Sequence, residues 1–230
     1  MGIKKKIMNI ILIIIGVVLV GWFLYSWLSV LNIEEPKYKI VSEASGYEIR
    51  EYTSYIVAET TVSSAENRDD AVRIGFPIIA GYIFGDNTKK DKIAMTAPVN
   101  TEESTSEKIA MTAPVNTEKI AMTVPVNTQE EAGSGAYKIS FVMPSKYTLE
   151  TLPEPNDKRV VLREVPARKL AVRRFSWTNS ESAFKKHEAE LLEALRRDDV
   201  LTVGVVNVAR YNTPWTIPFM LRNEVQIEVK

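Results

Sequence analysis

The sequence predicts an α+β domain carried behind one apolar helix. Three observations predict it. The run from Ile7 to Ile33 holds no charged residue. Short β-branched and aromatic stretches recur at strand length along the rest of the chain. Two helical patterns each follow a pair of such stretches. The 230 residues are enough to bury a sizeable core, and 45% hydrophobic with 25% charged is an ordinary globular composition.

The apolar run comes first. It exceeds the roughly 20 residues that span a bilayer. Lys4, Lys5 and Lys6 precede it, Glu34 and Glu35 follow it, and Trp22, Tyr25 and Trp27 lie toward its far end. Lysines stay on the cytoplasmic side and aromatic rings collect at the interface. The expected division is therefore a basic tip at 1–6, a transmembrane helix at 7–31, a linker at 32–37 and a folded domain at 38–230. That topology is single-pass, with the N-terminus cytoplasmic and the domain outside. A cleaved signal peptide is the alternative. Its apolar region is shorter, about 7–15 residues, and ends in a small-x-small site that is not evident here.

Strands are expected at Tyr38–Ser42, Tyr47–Tyr52 and Tyr55–Val62, with Ser45-Gly46 turning between the first two. Ser63 and Glu66 have the spacing of a capping box. They predict a helix from about Ala65 to Phe84, with Ala71, Ile74, Ile78 and Tyr82 on one face, Pro77 kinking it and Gly85-Asp86-Asn87 stopping it. The plan then recurs. Leu162-Arg163-Glu164-Val165 echoes Ile49-Arg50-Glu51-Tyr52 at an offset of 113 residues. Strands at Val160–Val165 and Lys169–Phe175 lead to a helix capped by Asn179 or Ser180 and running to about Arg197. Phe184, Glu188, Leu191 and Leu195 mark its face, and strands at Gly204–Tyr211 and Val225–Val229 follow. Two strand–strand–helix–strand halves predict one curved antiparallel sheet with two helices packed on it.

Between the halves a decapeptide occurs three times within 92–128. Lys92–Thr101 and Lys108–Thr117 are identical, and Lys119–Thr128 differs only at Val124. Alternation puts Ile93, Met95, Ala97 and Val99 on one side of a strand. The segment reads either as a methionine-rich ligand surface or as a local duplication that lengthened a loop or hairpin. Identical copies also leave open which of them fills a given strand position.

Composition excludes several chemistries. No cysteine means no disulfide, thiolate metal site or thiol nucleophile. One histidine, His187, cannot build a multi-histidine metal site. The ten glycines form no phosphate-cradling loop. From Glu34 onward 26 basic residues face 29 acidic ones, so there is no electrostatic footprint for nucleic acid. The acidic pairs Glu34-Glu35, Asp69-Asp70 and Asp198-Asp199 lie at a linker and at helix ends, where solvation or the helix dipole accounts for them.

A series of motifs resembles a known family. Asp70-Ala71-Val72-Arg73, Pro77 and Tyr82 lead into Gly85-Asp86-Asn87. Then come Lys-Ile-Ala-Met-Thr-Ala-Pro-Val, Phe141-Val142-Met143-Pro144, Val172-Arg173-Arg174-Phe175, Ala209-Arg210-Tyr211-Asn212 and Arg222-Asn223-Glu224-Val225. In this order, over about Tyr38 to Lys230, they look like the SOUL heme-binding protein family. The resemblance implies a distorted antiparallel β-barrel of two pseudo-repeats flanked by two helices. It also implies a protein that binds heme or another tetrapyrrole, not an enzyme, with a shallow apolar groove along the first domain helix. The family pattern has one decapeptide copy, so about 27 residues are additional here.

A heme site needs an apolar slot, cations for the propionates and sometimes an axial ligand. Arg73 matches the family's helix motif and is the propionate candidate, with Lys89, Lys90 and Lys92 beyond the helix end to assist. Ile74, Pro77, Ile78 and Tyr82 are the candidate slot residues. Met95, Met111, Met122 and Tyr82 are candidate weak ligands, while His187 lies in the second helix and fits no family ligand motif. The expected function is a membrane-anchored heme or porphyrin carrier, buffer or sensor. The alternative is a tethered interaction or small-molecule module that does not bind heme.

Overall fold

The computed structural model describes residues 2–28, 33–89, 92–93, 96–103, 136–213 and 215–230. Helix α1 covers Gly2–Leu28, and its stretch Lys4–Leu28 is long and apolar enough to cross a membrane. Its rows of Ile, Leu and Val carry no polar face, so nothing in it directs one side toward a protein core.

Nine strands follow: β1 Tyr38–Ala44, β2 Tyr47–Tyr52, β3 Tyr55–Val62, β4 Val99–Glu103, β5 Tyr137–Val142, β6 Val161–Val165, β7 Arg168–Phe175, β8 Thr202–Arg210 and β9 Asn223–Val229. Helix α2, Arg68–Ile83, lies between β3 and β4, and α3, Glu181–Arg197, between β7 and β8. All pairings are antiparallel, and the strand order is β1-β2-β7-β9-β8-β4-β5-β3-β6. The two ends, β1 and β6, are not hydrogen-bonded to each other, so the described residues form an open antiparallel sheet, and closure into the expected distorted barrel is not seen among them.

The hydrophobic pattern builds two cores, one under each helix. Ala71, Ile79 and Ile83 of α2 meet Ala58, Ile139 and Phe141 of β3 and β5. Phe184, Leu191 and Leu195 of α3 meet Ala171, Val208, Val225 and Ile227 of β7, β8 and β9. Strand β4 joins the two halves, pairing with β5 on one side and β8 on the other.

The helix starts correct one expectation. The cap of α2 is Asn67, whose side-chain oxygen accepts from the Asp70 amide at 2.9 Å, and not Ser63. A cap must stand three residues before the amide it satisfies, and Asn67 alone has that spacing to Asp70. Ser180 caps α3 in the same way through the Ala183 amide. Asn67 and Ser180 stand 113 residues apart, as do Tyr55 and Arg168 at the starts of β3 and β7. The α2 helix runs on through Pro77 to Ile83.

Residues 33–37 are pinned to the domain. Glu34 accepts from the Ser145 amide at 2.9 Å, its carbonyl accepts from the Ala97 amide at 3.2 Å, and Glu35 takes both its oxygens to Arg222 at 2.9 Å. The first decapeptide copy supplies β4, but pairing begins only at Val99, after Pro98. Proline has no amide to donate, so a ladder starts more readily behind it than through it. Ile93, Thr96, Ala97 and Asn100 are all buried, so described residues from both sides of this copy face protein. The second and third copies, with Met111 and Met122, lie outside the described residues.

Candidate functional site

The α2 helix divides by burial. Ala71, Gly75, Ile79, Tyr82 and Ile83 turn into the core. Arg73 and Pro77 are exposed, Ile74, Ile78 and Gly81 are half-buried, and Phe84 just past the end is 58% exposed. The buried stripe is therefore rotated by about one position from the expected one. Gly75 explains the shift, because its missing side chain lets the helix settle against Ile139.

The rotation leaves an open apolar stripe. Arg73, Ile74, Pro77, Ile78 and Phe84 share the outward side or its shoulders. Tyr82 does not join them: it is buried, and its hydroxyl donates to the Pro153 carbonyl at 2.9 Å. Burial pushes its phenol up to about 12, so it stays a neutral donor. A tyrosine spent on that contact faces the core and not the slot. Arg73 is three-quarters exposed and reaches back to Asp70 at 2.6 Å, a hydrogen bond that holds the Asp70 carboxyl below its ordinary range. Lys89 is exposed near the Thr151 carbonyl, and Lys92 is exposed nearby in the chain. Lys89 thus lies beside the 151–155 segment that Tyr82 also contacts, and Arg73 is the cation on the outward side of α2 among the described site candidates. Lys90 and Met95 lie outside the described residues.

His187 stands apart from this stripe, on α3. Its ring stacks on Phe175 with centroids 4.1 Å apart. Nδ1 is 3.0 Å from a Glu190 oxygen, and the Arg173 Nε–H donates to it at 3.3 Å. The histidine is committed to holding α3 on β7.

Sequence reasoning missed two features. The first is a groove of about 650 Å³ between residues 34–37, the start of β3 and the segment after β5, with Ile56 and Met143 in its wall. Four carboxylates line it, Glu34, Glu35, Glu150 and Glu164, against the single ammonium of Lys37. One of the four, Glu35, is paired with Arg222. The second is a buried polar network centred on Glu224, which is fully buried. Its oxygens receive the Arg50, Arg222, Tyr211 and Gln226 side chains at 2.8–3.0 Å. The run Asn223-Glu224-Val225-Gln226 signals it, because polar residues inside a strand flanked by apolar ones need buried partners.

The sheet and its two helices define an α+β domain with one apolar helix face left open. The chain belongs to the SOUL heme-binding protein family: the family model matches residues 33–113 and again 100–228. The two matches overlap inside the triplicated segment, where this chain carries its additional residues. Human heme-binding protein 2 is 28% identical over 192 residues, 79% of this chain and 80% of that protein. Among solved structures, the EcmrR C-terminal domain superposes with a TM-score of 0.55 at 10% identity, covering 84% of this chain and 98% of that one. The EcmrR chain in a DNA-bound complex gives 0.54 at 10% identity, covering 99% and 71%. At that identity the structural likeness speaks to the fold alone. Family membership supports a heme- or tetrapyrrole-binding role.

Proposed function

We propose that the protein is a membrane-anchored heme or tetrapyrrole binder, acting as carrier, buffer or sensor, without enzymatic activity. The tetrapyrrole lies on the outer face of α2. The observation that carries this is the outward side of α2, where Arg73, Pro77 and Phe84 are exposed beside the half-buried Ile74 and Ile78, an apolar surface with a guanidinium at its N-terminal end. Ring burial and propionate pairing then supply the affinity, with no histidine ligand from the described residues. Binding of that kind is weak and reversible, as suits a carrier. In this reading α1 spans the bilayer, the lysines before it stay cytoplasmic and the domain faces out. The sheet, open at β1 and β6, curls as a distorted barrel beneath the two helices.

Hemin titration of the full chain in detergent micelles tests it. A Soret shift and saturable tryptophan quenching are expected. Arg73→Ala should weaken binding only a few-fold, since an exposed ion pair contributes about 1 kcal/mol or less. No Soret shift and no saturation would sink the heme reading. The acidic groove favours the second reading, a tethered module for another small molecule: it is a formed concavity whose charge suits a neutral or cationic ligand.

A further inference from the structure

Two surface loops meet beside α1. One runs from Phe175 to Ser180 and the other from Tyr211 to Leu221, and neither contains a charged residue. They are joined where the Trp177 amide donates to the Pro218 carbonyl at 2.8 Å. At their surface Trp177 is 68% exposed, Trp215 76% and Phe219 52%, with the Trp177 and Phe219 rings 6.1 Å apart. Single exposed apolar residues are ordinary, but three large aromatics on one uncharged surface are not. Trp177 also has φ of +79°, a left-handed conformation that bulky residues rarely hold. The fold keeps this ring outward at a conformational cost.

The position of this surface is set by α1. The Trp22 indole donates to the Trp215 carbonyl at 2.8 Å, and the Ile217 amide donates to the Ser26 hydroxyl at 3.1 Å. At 1.5 Å per residue, Trp22 lies about 24 Å and Ser26 about 30 Å along the helix from Lys6. The hydrocarbon layer is about 30 Å thick. A helix with Lys6 at one boundary therefore has Ser26 at the other and Trp22 about 6 Å inside it. The loop that hydrogen-bonds to them is held at the same depth.

We propose that the paired loops 176–179 and 211–221 seat the domain on the bilayer that α1 crosses, with Trp177, Trp215 and Phe219 inserted among the lipid headgroups. This rests on the anchor reading of α1 given above. The occupant is lipid because the surface is continuous with the apolar helix, is uncharged, and ends in the ring types that favour the interface. Arg210, just before the second loop, pairs with Asp69 at the start of α2 at 2.5 Å. Seating thus brings the N-terminal end of the α2 stripe toward the membrane, where an apolar ligand would partition.

The chain has four tryptophans, so single-tryptophan versions of the full chain are accessible by Trp→Phe replacement of the other three. They are reconstituted in phosphatidylcholine vesicles carrying a shallow nitroxide quencher on the acyl chain. The chain retaining only Trp22 reports the anchor, and those retaining only Trp177 or only Trp215 report the seat. Quenching of all three is expected, with the loop reporters about 5–10 Å into the headgroup and acyl boundary. Quenching of Trp22 with Trp177 and Trp215 open to aqueous iodide overturns the seat and leaves the anchor standing. No quenching of Trp22 means that the anchor reading has failed, and the seat with it. Either loop reporter alone is decisive, so one variant that fails to fold does not spoil the test.

Discussion

Glu224 is the residue on which the sheet's polar interior turns. Burial raises its carboxyl, but the Arg222 and Arg50 guanidiniums beside it win, and its pKa lies below the ordinary carboxylate value. Arg50 is itself 2% exposed. Removing the anion that both arginines share leaves Arg50 with Glu48 and Arg222 with Glu35, so the loss is that of buried charge-assisted hydrogen bonds, about 1–3 kcal/mol. Glu224→Gln is therefore expected to lower the unfolding free energy by about 1–3 kcal/mol in a urea titration. The pH dependence has a definite sign. A carboxyl whose folded pKa is depressed contributes stability above its unfolded pKa, and the contribution is lost as pH falls through the folded value. The wild-type urea midpoint should drop on acidification below about 4.5, and Glu224→Gln should lack that component. Equal acid slopes in the two proteins would show that Glu224 does not titrate as its partners require. Burial also pushes Tyr52 up to about 12, so its hydroxyl stays neutral beside Arg50 through this range.

At the scale of elements, α2 is the helix that both packs and presents a surface, and Gly75 sets the balance. A methyl group there would stand 3.0–3.3 Å from three atoms of Ile139, a fully buried β5 residue. Alanine in a helix interior gains about 1 kcal/mol over glycine, while overpacking a close contact costs about 1–3 kcal/mol. The second effect should win, so Gly75→Ala is expected to destabilise the domain by about 1 kcal/mol in thermal or urea unfolding. A stabilised variant would mean that Ile139 can rotate aside. This balance also explains what was readable from sequence. Strands β2 and β3 and helix α3 are legible to within a residue, because period-2 and period-3.6 patterns with strong caps leave few alternatives. The face of α2 is legible only to one position, since Ala71, Ile74, Ile78 and Tyr82 make an apolar row that ignores the glycine beside it. Arg73, Ile74, Pro77 and Ile78 could be named because a surface stripe is a local property of one helix. The Tyr82 contact with Pro153 and the groove bounded by Glu34 and Met143 join segments some 70 to 110 residues apart, and no local pattern encodes such meetings.

On the scale of the whole molecule, the two halves of the chain exchange strands, β2 pairing with β7 and β3 with β6, and the resulting groups β1-β2-β7-β9-β8 and β4-β5-β3-β6 are hydrogen-bonded to each other only through β8 and β4 among the described residues. Side chains reinforce that seam, where Asn207 donates to Asn100 at 3.0 Å and to Gln226 at 3.1 Å. The seam strand is drawn from the first of three near-identical copies, so the chain carries spare versions of its own joint. Deleting 92–118 brings Lys119–Glu130 into the place of Lys92–Glu103, with Gln129 for Glu102 and Val124 for Ala97 as the differences. Ala97 is buried against Ala209, Tyr211 and Ile33, so a valine there adds two methyl groups to a filled site and costs about 1–3 kcal/mol. The connection from the strand to Tyr137 shortens from 33 residues to 6. Closure entropy falls by about 0.6 kcal/mol per halving of length, so this change contributes about 1.5 kcal/mol in favour of the folded state. The two effects nearly cancel in the simple deletion, which should fold with a stability close to the parent's. Combining the deletion with Val124→Ala removes the crowding and should leave the chain about 1–2 kcal/mol more stable than the parent in urea unfolding. A deletion that cannot fold even with alanine restored would show that the third copy cannot serve as the seam in place of the first.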